Sequence, residues 1–320
     1  MQIVCNRMPI PPLPVELTDE IIAWIPTVCS GKGKTTTLLR CSLVCSAWVP
    51  RSRHHLFDDC SVGLEKYDVL LSRALRSSRL RPYLTSVRTL EIYDDGTGYE
   101  LGSSQSDSTP RWRWGLIHEL AGHLPNLVAL KLKSNFIAHP VSTSMVISRF
   151  SSVRLLHFNY CLFDSFGTLR RILTALPSLK ELHMHGVTDW PSPHDALSPP
   201  LLVVAKTSRP ALDHLYINWH SGHITLLQQF LSWLSATSTV LSLRDFHLAT
   251  STFHCRFVTK VLSRCTPLGQ AVRTLRIQVD GTCEGQWVTV SPWFMVSVID
   301  MQADRLLYRL GISNATVHKS

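Results

Sequence analysis

The amino-acid sequence predicts an α/β protein, with a small helical unit at its N-terminus followed by an irregular solenoid of parallel strands and helices. Two observations lead to this fold class. Between positions 12 and 57, apolar residues recur with the 3.6-residue period of amphipathic helices. Beyond residue 57, a short apolar pattern typical of a strand recurs eight times, and helical periodicity separates several copies. Such an alternation of strand and helix places successive strands side by side in parallel.

The N-terminal unit is predicted to contain two helices. Asp19 and Glu20 lie near the start of the first helix, where carboxylates favour the positive end of the helix dipole. A second helix is expected from residue 38 to 48, with Thr37 as its N-cap. Residues 26–36 are expected to form a basic loop between the two helices.

Three short motifs in this unit carry a family resemblance. Leu-Pro-Val-Glu-Leu occupies residues 13–17, Cys-Ser-Leu-Val-Cys-Ser-Ala-Trp occupies 41–48, and Leu-Phe closes the unit at 56–57. In order and spacing they resemble an F-box, although the segment 26–36 is longer and more basic than that family's pattern. The competing interpretation is an ordinary helical hairpin packed into a larger core.

The resemblance implies that residues 11–57 form an F-box that docks a Skp-type adaptor and, through it, a cullin. Apolar groups this dense on a small unit need a partner that removes them from water. The residues expected to form or support this adaptor surface are Leu13, Pro14, Leu17, Ile21, Ile22, Leu43, Val44 and Trp48.

The recurring strand pattern is an apolar residue, two variable residues, a second apolar residue, one variable residue and a third apolar residue. Successive copies begin 26 to 40 residues apart. The pattern is similar to the strand core of a leucine-rich repeat, and Asn135 and Cys161 complete the longer motif in two copies. The alternative is a conventional α/β domain with a parallel sheet. The copies begin at Phe57, Val87, Leu127, Val153, Leu179, Leu212, Leu243 and Val272.

The resulting domain organisation is a tail at 1–10, the F-box-like unit at 11–57 and a leucine-rich-repeat-like recognition domain at 58–320. Segments 94–110 and 189–200, rich in Gly, Ser or Pro, are expected to be surface loops inserted into the repeats.

The variable residue between the second and third apolar positions points away from the core, onto the face that is concave in leucine-rich-repeat solenoids. Stacked in parallel register, these residues form one polar column, and we take it as the hypothesis for a substrate-capture surface that suits an acidic or phosphorylated protein. For any single residue the alternative is a solvated strand position. The column contains Glu91, Lys131, His157, His183, Tyr216, His247 and Arg276, of which all but Glu91 are candidate substrate-binding residues. Beside it are expected Tyr93, Lys133, Asn159, His185, Asn218 and Gln278.

No catalytic, cofactor or metal site is expected. Gly31–Thr36 resembles the end of a phosphate-binding loop, but Val28 stands where that loop needs its first glycine. The 15 histidines form no His-Glu-x-x-His motif, and His54 and His55 are expected to be exposed. Nine scattered cysteines without a Cys-x-x-Cys pair favour reduced thiols in a cytoplasmic or nuclear protein.

Charge and hydropathy narrow the class of partner. The formal net charge is +9, and the surplus lies outside residues 11–62, which hold equal numbers of basic and acidic residues. No RNA-binding signature of interleaved aromatic and basic residues accompanies this positive charge, so nucleic acid is not the expected partner. No apolar run approaches the roughly 20 residues that span a bilayer, so no membrane partner is expected.

Together these features predict a non-enzymatic protein: the substrate-recognition subunit of a Skp–cullin–F-box ubiquitin ligase. An F-box scaffold that assembles protein complexes without ubiquitination is the alternative.

Overall fold

The computed structural model describes residues 14–63, 77–93, 119–120, 122–133, 137–138, 140–163, 166–189, 210–219, 224–250, 272–279 and 286–290. Three helices begin the described chain: α1 (Val15–Val28), α2 (Gly31–Cys41) and α3 (Trp48–Asp58). Helix α3 is followed directly by strand β1 (Asp59–Gly63), with no residue between them. The later helices are α4 (Arg81–Leu84), α5 (Pro140–Ile147), α6 (Phe166–Ala175), α7 (Ile224–Leu234) and α8 (Thr239–Ser242).

The prediction of a basic loop at residues 26–36 is wrong. Pro26 lies inside α1, and α2 already begins at Gly31, so that only Cys29 and Ser30 connect the two helices. Glycine in a helix costs about 1 kcal/mol relative to alanine, which tertiary contacts can offset. Here Nζ of Lys34 lies 2.7 Å from Oδ2 of Asp59, and this ion pair ties the first turns of α2 to β1.

The second predicted helix is also corrected. Helix α2 ends at Cys41, turns occupy residues 42–47, and Trp48 begins α3, so Thr37 is a mid-helix residue and not an N-cap. The physical reason is Pro50, which has no N–H to donate and whose ring clashes with the carbonyl four residues earlier. Proline is tolerated in a first turn, and a new helix therefore starts two residues before it.

The main sheet has nine strands in the order β1-β2-β3-β5-β7-β9-β10-β11-β12. The first eight strands run parallel, and β12 pairs antiparallel with β11. Three two-residue strands form a separate parallel sheet, β4-β6-β8. The strands after β1 are β2 (Thr89–Tyr93), β3 (Ala129–Lys133), β4 (Ile137–Ala138), β5 (Leu155–Asn159), β6 (Leu162–Phe163), β7 (Glu181–His185), β8 (Thr188–Asp189), β9 (His214–Trp219), β10 (Asp245–Thr250), β11 (Thr274–Val279) and β12 (Gln286–Val290).

The eight repeats predicted from the apolar pattern coincide with the eight parallel strands, in chain order. Strands β2, β3, β5 and β7 each bury only alternate residues, so the sheet has one covered face and one open face. A doubly wound α/β sheet is covered on both faces, and its strands lack this alternation. One-sided burial and sequential order therefore indicate a solenoid-like arrangement rather than the conventional α/β alternative.

A chain of backbone hydrogen bonds fixes the register where the strands begin. The N–H of the residue at or just before each strand donates to the carbonyl of the equivalent residue one repeat earlier. The donors, at 2.7–2.9 Å from their acceptors, are Arg88 to Asp58, Val128 to Arg88, Arg154 to Val128, Lys180 to Arg154, Asp213 to Lys180, Arg244 to Asp213 and Arg273 to Arg244.

The core lies between the covered face and the helices. Phe158 packs edge-on against Phe163, with ring centroids 5.0 Å apart, and Leu169 and Ile172 of α6 are fully buried in the same cluster. Cys161, which completes the longer motif in its repeat, is buried, and its Sγ donates to the carbonyl of Leu132 at 3.2 Å. Burial raises the pKa of this thiol to about 12, which keeps it protonated as a donor.

Contacts between α3 and the following turn correct a further expectation. His54 and His55 are half-buried, not exposed, because α3 packs against the segment that contains α4. Nδ1 of His54 lies 2.7 Å from Oγ of Ser86, and Phe57 stacks on Tyr83 with centroids 5.7 Å apart. Burial is the main cause that lowers the pKa of His55, with the charge of nearby Arg51 adding to it.

Some predicted features lie outside the described residues: the tail at 1–10, Leu13, Asn135, and the two proposed loops apart from Asp189, which belongs to β8.

Replacing a core leucine of the central strand tests this packing. Leu182 is fully buried in β7, so Leu182→Ala is expected to lower the free energy of unfolding by about 2–5 kcal/mol, because it leaves a cavity. Leu241, which is 80% exposed in α8, is the matched control, and Leu241→Ala should change stability by less than about 0.5 kcal/mol. Urea denaturation measures both values. Equal values for the two variants would contradict the assigned core.

Candidate functional site

Helices α1 and α2 and the turn that follows α2 carry apolar side chains that are open to water. Most of the large exposed hydrophobic side chains in the described part of the chain lie between residues 15 and 44. Large contiguous apolar patches on a protein surface mark sites of interaction. We call this set the apolar helix surface; it consists of Val15, Leu17, Ile21, Trp24, Val28, Leu39, Leu43 and Val44, each 48–84% exposed.

Helix α1 explains why so much apolar surface stays open. Thr18, Ile22 and Ile25 form a buried stripe, in which the two isoleucines pack with Leu38 in a small core. A second stripe with steps of four, three and four residues lies beside it on the helix and faces solvent. This exposed stripe consists of Leu17, Ile21, Trp24 and Val28.

The structure sorts the residues predicted for the adaptor surface into two groups. Pro14, Leu17, Ile21, Leu43 and Val44 are exposed and belong to or border the apolar helix surface.

Ile22 and Trp48 do not belong to that surface. Ile22 has no exposed area, and half-buried Trp48 packs against the same core, so both support the surface from below. Sequence reasoning missed four residues of this surface: Val15, Trp24, Val28 and Leu39. The spacing from Leu17 to Val28 contained the signal for a second apolar stripe on α1, although not for its exposure.

The open face of the sheet presents the predicted polar column in continuous register. Glu91 pairs with Lys131 and Lys131 with His157, and each later strand adds its residue directly beside the last. Four successive side chains of this column carry rings, and the centroids of neighbouring rings are 5.5, 5.5 and 6.1 Å apart. We call these four the ring ladder; in strand order they are His157, His183, Tyr216 and His247.

A column of residues that sequence reasoning missed lies on the same face, two positions earlier in each strand. It contributes acidic groups that contact histidines. Oε1 of Glu181 lies 2.7 Å from Nε2 of His183, and Oδ2 of Asp245 lies 2.7 Å from Nδ1 of His214. The sequence did contain a signal for this column. Its residues stand immediately before the second apolar position of each repeat, and the alternation of a strand places that position on the open face.

Two rings of the ring ladder are uncharged at neutral pH. Burial, followed by the nearby charges of His183, Lys131 and His185, lowers the pKa of His157 to about 4. Burial and the charge of Arg276 lower the pKa of His247 as well. These two rings of the ladder are therefore neutral at pH 7, and the positive charge of the column is concentrated on Lys131 and Arg276 near its ends.

A tightly packed corner lies where β5 and β7 end. Tyr160 adopts a left-handed backbone with φ of 54°, which is rare for a bulky residue. Its hydroxyl lies 3.1 Å from Nε2 of His185, and the two rings meet edge-on at 5.0 Å. The ring covers Gly186, where an added Cβ would lie 2.5 Å from Cδ1 of Tyr160. The glycine therefore allows the tyrosine to lie flat on the end of the sheet.

Two carboxamides flank this corner. The Oδ1 atoms of Asn159 and Asn218 are out of contact with solvent and lack a hydrogen-bond partner. His185 stands between the two asparagines in the register of β5, β7 and β9. A buried acceptor without a donor costs about 1–3 kcal/mol, so these amides are under-satisfied as they stand.

Within the described ranges, no group of three or more His, Cys, Asp or Glu side chains is arranged to hold a metal ion. Among the helices of the same residues, none has both the length and the apolarity needed to cross a bilayer.

No family model matches the chain, and no curated protein matches it.

The pKa of His157 predicts a pH dependence of stability. The folded-state pKa is near 4 and the ordinary value is 6.5, so between these values the unfolded chain binds a proton that the folded chain does not. The contribution of His157 to the free energy of unfolding is therefore fully present above about pH 6.5 and is lost progressively as the pH falls towards 4. His157→Gln cannot titrate, and its free energy of unfolding should decline less over this range. Urea titrations at several pH values measure the two slopes; identical slopes would show that His157 is not the group responsible.

The corner at Gly186 gives a second test. Gly186→Ala combines an unfavourable φ of +58° with a clash against Tyr160, and it should lower the free energy of unfolding by about 1–3 kcal/mol. Gly33 is the matched control, since it lies in α2 with nothing within 4 Å of an added Cβ. Gly33→Ala should raise stability by about 0.5–1 kcal/mol.

A double variant tests the contact itself. When Gly186→Ala is combined with Tyr160→Ala the clash disappears, so the two changes together should lower the free energy of unfolding by less than the sum of their separate effects. Simple additivity in urea denaturation would contradict the close packing of the two residues.

Proposed function

We propose that this chain is the substrate-recognition subunit of a Skp–cullin–F-box ubiquitin ligase. In this function the apolar helix surface docks a Skp-type adaptor, and the open face of the sheet captures the protein to be ubiquitinated. The chain performs no chemistry itself. It raises the effective concentration of the captured protein near the ubiquitin-charged enzyme.

The observation that carries the proposal is the exposed stripe on α1. An ordinary hairpin packed into a larger core would bury both apolar faces of its helices, whereas Ile21 and Trp24 are 48% and 62% exposed. The F-box-like motifs at 13–17 and 41–48 flank or contain residues of this surface. A partner that covers the stripe removes apolar area from water at about 25 cal/mol per Å².

The connection between the two surfaces also supports the proposal. Helix α3 continues directly into β1, and the ion pair between Lys34 and Asp59 joins α2 to the same strand. Burial by itself would raise the pKa of Asp59, but the hydrogen bond and charge of Lys34 outweigh it and lower the pKa. A short, charge-paired connection holds the docking surface and the capture face in a fixed relation, as delivery of a bound protein requires.

Charge substitutions on the apolar helix surface test adaptor docking. Ile21→Glu with Leu43→Glu places two carboxylates in the proposed interface, and copurification of the Skp-type adaptor and cullin should fall at least about tenfold. Both side chains are exposed, at 48% and 84%, so the fold should be retained, as urea denaturation can verify. The control is Leu241→Glu, on an equally exposed leucine of α8. Undiminished adaptor recovery by the double variant would refute the docking role.

Reconstitution separates the ligase from a scaffold. If the purified adaptor–cullin complex transfers ubiquitin to proteins captured by the wild-type chain and not by the docking variant, the chain acts as a ligase subunit. Capture without transfer would instead identify a non-ligase F-box scaffold.

A further inference from the structure

The open face has hydrogen-bonding capacity that the described part of the chain leaves unused. The carboxamides of Asn159 and Asn218 each carry an oxygen without a donor, although both residues are only half-buried. A carboxamide has a donor and an acceptor side by side, which matches the C=O and N–H of a peptide unit. Because both Oδ1 atoms are shielded from solvent, each amide has to rotate before its oxygen can accept a hydrogen bond from a ligand on the open face.

The spacing of these two amides selects the conformation of a ligand. They lie on β5 and β9, with β7 between them, so two strand intervals of about 4.8 Å separate them by about 9.6 Å. An extended chain in the polyproline II conformation repeats its orientation every three residues, or about 9.3 Å. A peptide crossing the strands at right angles therefore presents equivalent peptide units to both asparagines.

The ring ladder lies directly beside this row, in the next column of the same face. It offers four rings in a row with 5.5–6.1 Å between centroids, and its outer members His157 and His247 are neutral at pH 7. The acidic groups next to it are engaged, Glu181 with His183 and Asp245 with His214. The middle of the face thus favours apolar or aromatic side chains and has little preference for charged ones.

Basic side chains lie on both sides of the ladder. Lys131 and Lys133 lie on β3, where Glu91 offsets only one charge at 4.0 Å from Lys133, and exposed Arg276 lies on β11. Among the described residues, no carboxylate lies within ion-pair distance of Lys131 or Arg276. Five strand intervals separate β3 from β11, which is about 24 Å, or about eight residues of an extended chain at about 3.1 Å each.

We propose that the open face binds an extended peptide segment that crosses the strands, with Asn159 and Asn218 holding its backbone and the ring ladder packing its uncharged centre. Acidic residues about eight positions apart contact Lys131 at one end and Arg276 at the other. This deepens the proposed function, on which it rests, by giving the class of substrate: a locally unfolded acidic–apolar–acidic segment, not the surface of a folded domain.

The test selects ligands from a displayed library of random peptides of about 14 residues, with the purified full-length chain as bait. Enriched sequences should carry Asp or Glu about eight positions apart, with apolar or aromatic residues between. For Lys131→Glu with Arg276→Glu, the enriched sequences should carry Lys or Arg at those positions instead. Arg171→Glu, on an exposed residue of α6, is the control and should leave the preference unchanged.

The role of the asparagines is measured with one enriched peptide by fluorescence anisotropy. Asn159→Ala with Asn218→Ala should weaken binding about tenfold or more, since both backbone anchors are lost. Asn126→Ala is the matched control, because the Nδ2 of Asn126 donates to the carbonyl of Thr85 away from this face. Failure to enrich any peptide, or equal affinity of the double variant and the wild type, would overturn the proposal.

Adaptor copurification, measured on the same proteins, separates this inference from the proposed function. Loss of peptide binding in the asparagine variant with full adaptor recovery is the expected pattern. If the wild type enriches no peptide but recovers the adaptor, only the peptide site is refuted. If it binds peptide but recovers no adaptor, the ligase function is refuted and the peptide site stands.

Discussion

Strands β1 to β11 of the main sheet pair in parallel, each with the strand of the preceding repeat, and the central strands bury alternate residues on one face only. The other features of the chain depend on this ladder. Its register is set by the relay of backbone hydrogen bonds from Asp58 through Arg88 to Arg273. A slip of one residue in any strand would turn Leu156 or Leu182 to solvent and bring a histidine into the core. Because each such exchange costs several kcal/mol, a single register is stable along the whole sheet.

The same alternation that builds the core also arranges the open face. Residues that are about 30 positions apart in sequence become neighbours at one strand spacing, as His157, His183 and Tyr216 do. Side chains in a column cannot avoid one another, so charge and ring contacts follow from the register alone. The low pKa of His157 has this origin, since burial acts together with the positive charges of its column neighbours. The chemistry of the surface is thus a property of the repeat and not of any local motif.

The periodic parts of the fold were predictable from sequence, because an apolar position repeated in eight copies averages out local ambiguity. Strand order, parallel pairing and the middle column follow from that repetition. The N-terminal turns were not predictable in this way, since Gly31 and Gly33 suggested a loop and only the contact from Lys34 to Asp59 accounts for a helix there. The two-residue strands β4, β6 and β8 are too short to show a period. Glu181 and Asp245 occupy a variable position of the motif, which a pattern of apolar residues does not describe. Exposure of Trp24 required the packing of α1 on Leu38, which no single helix reveals.

The position of α3 makes the two surfaces parts of one structure. Its C-terminal residues lead into β1, the edge strand of the sheet, and through Phe57 and His54 it contacts the turn that precedes β2. The N-terminal helices therefore combine two features: contacts that join α3 to the start of the sheet, and apolar side chains of α1 and α2 that stay open to water. Because α3 runs into β1 with no residue between them, a flexible linker inserted at this point would loosen the contacts of Phe57 and His54 with the turn before β2.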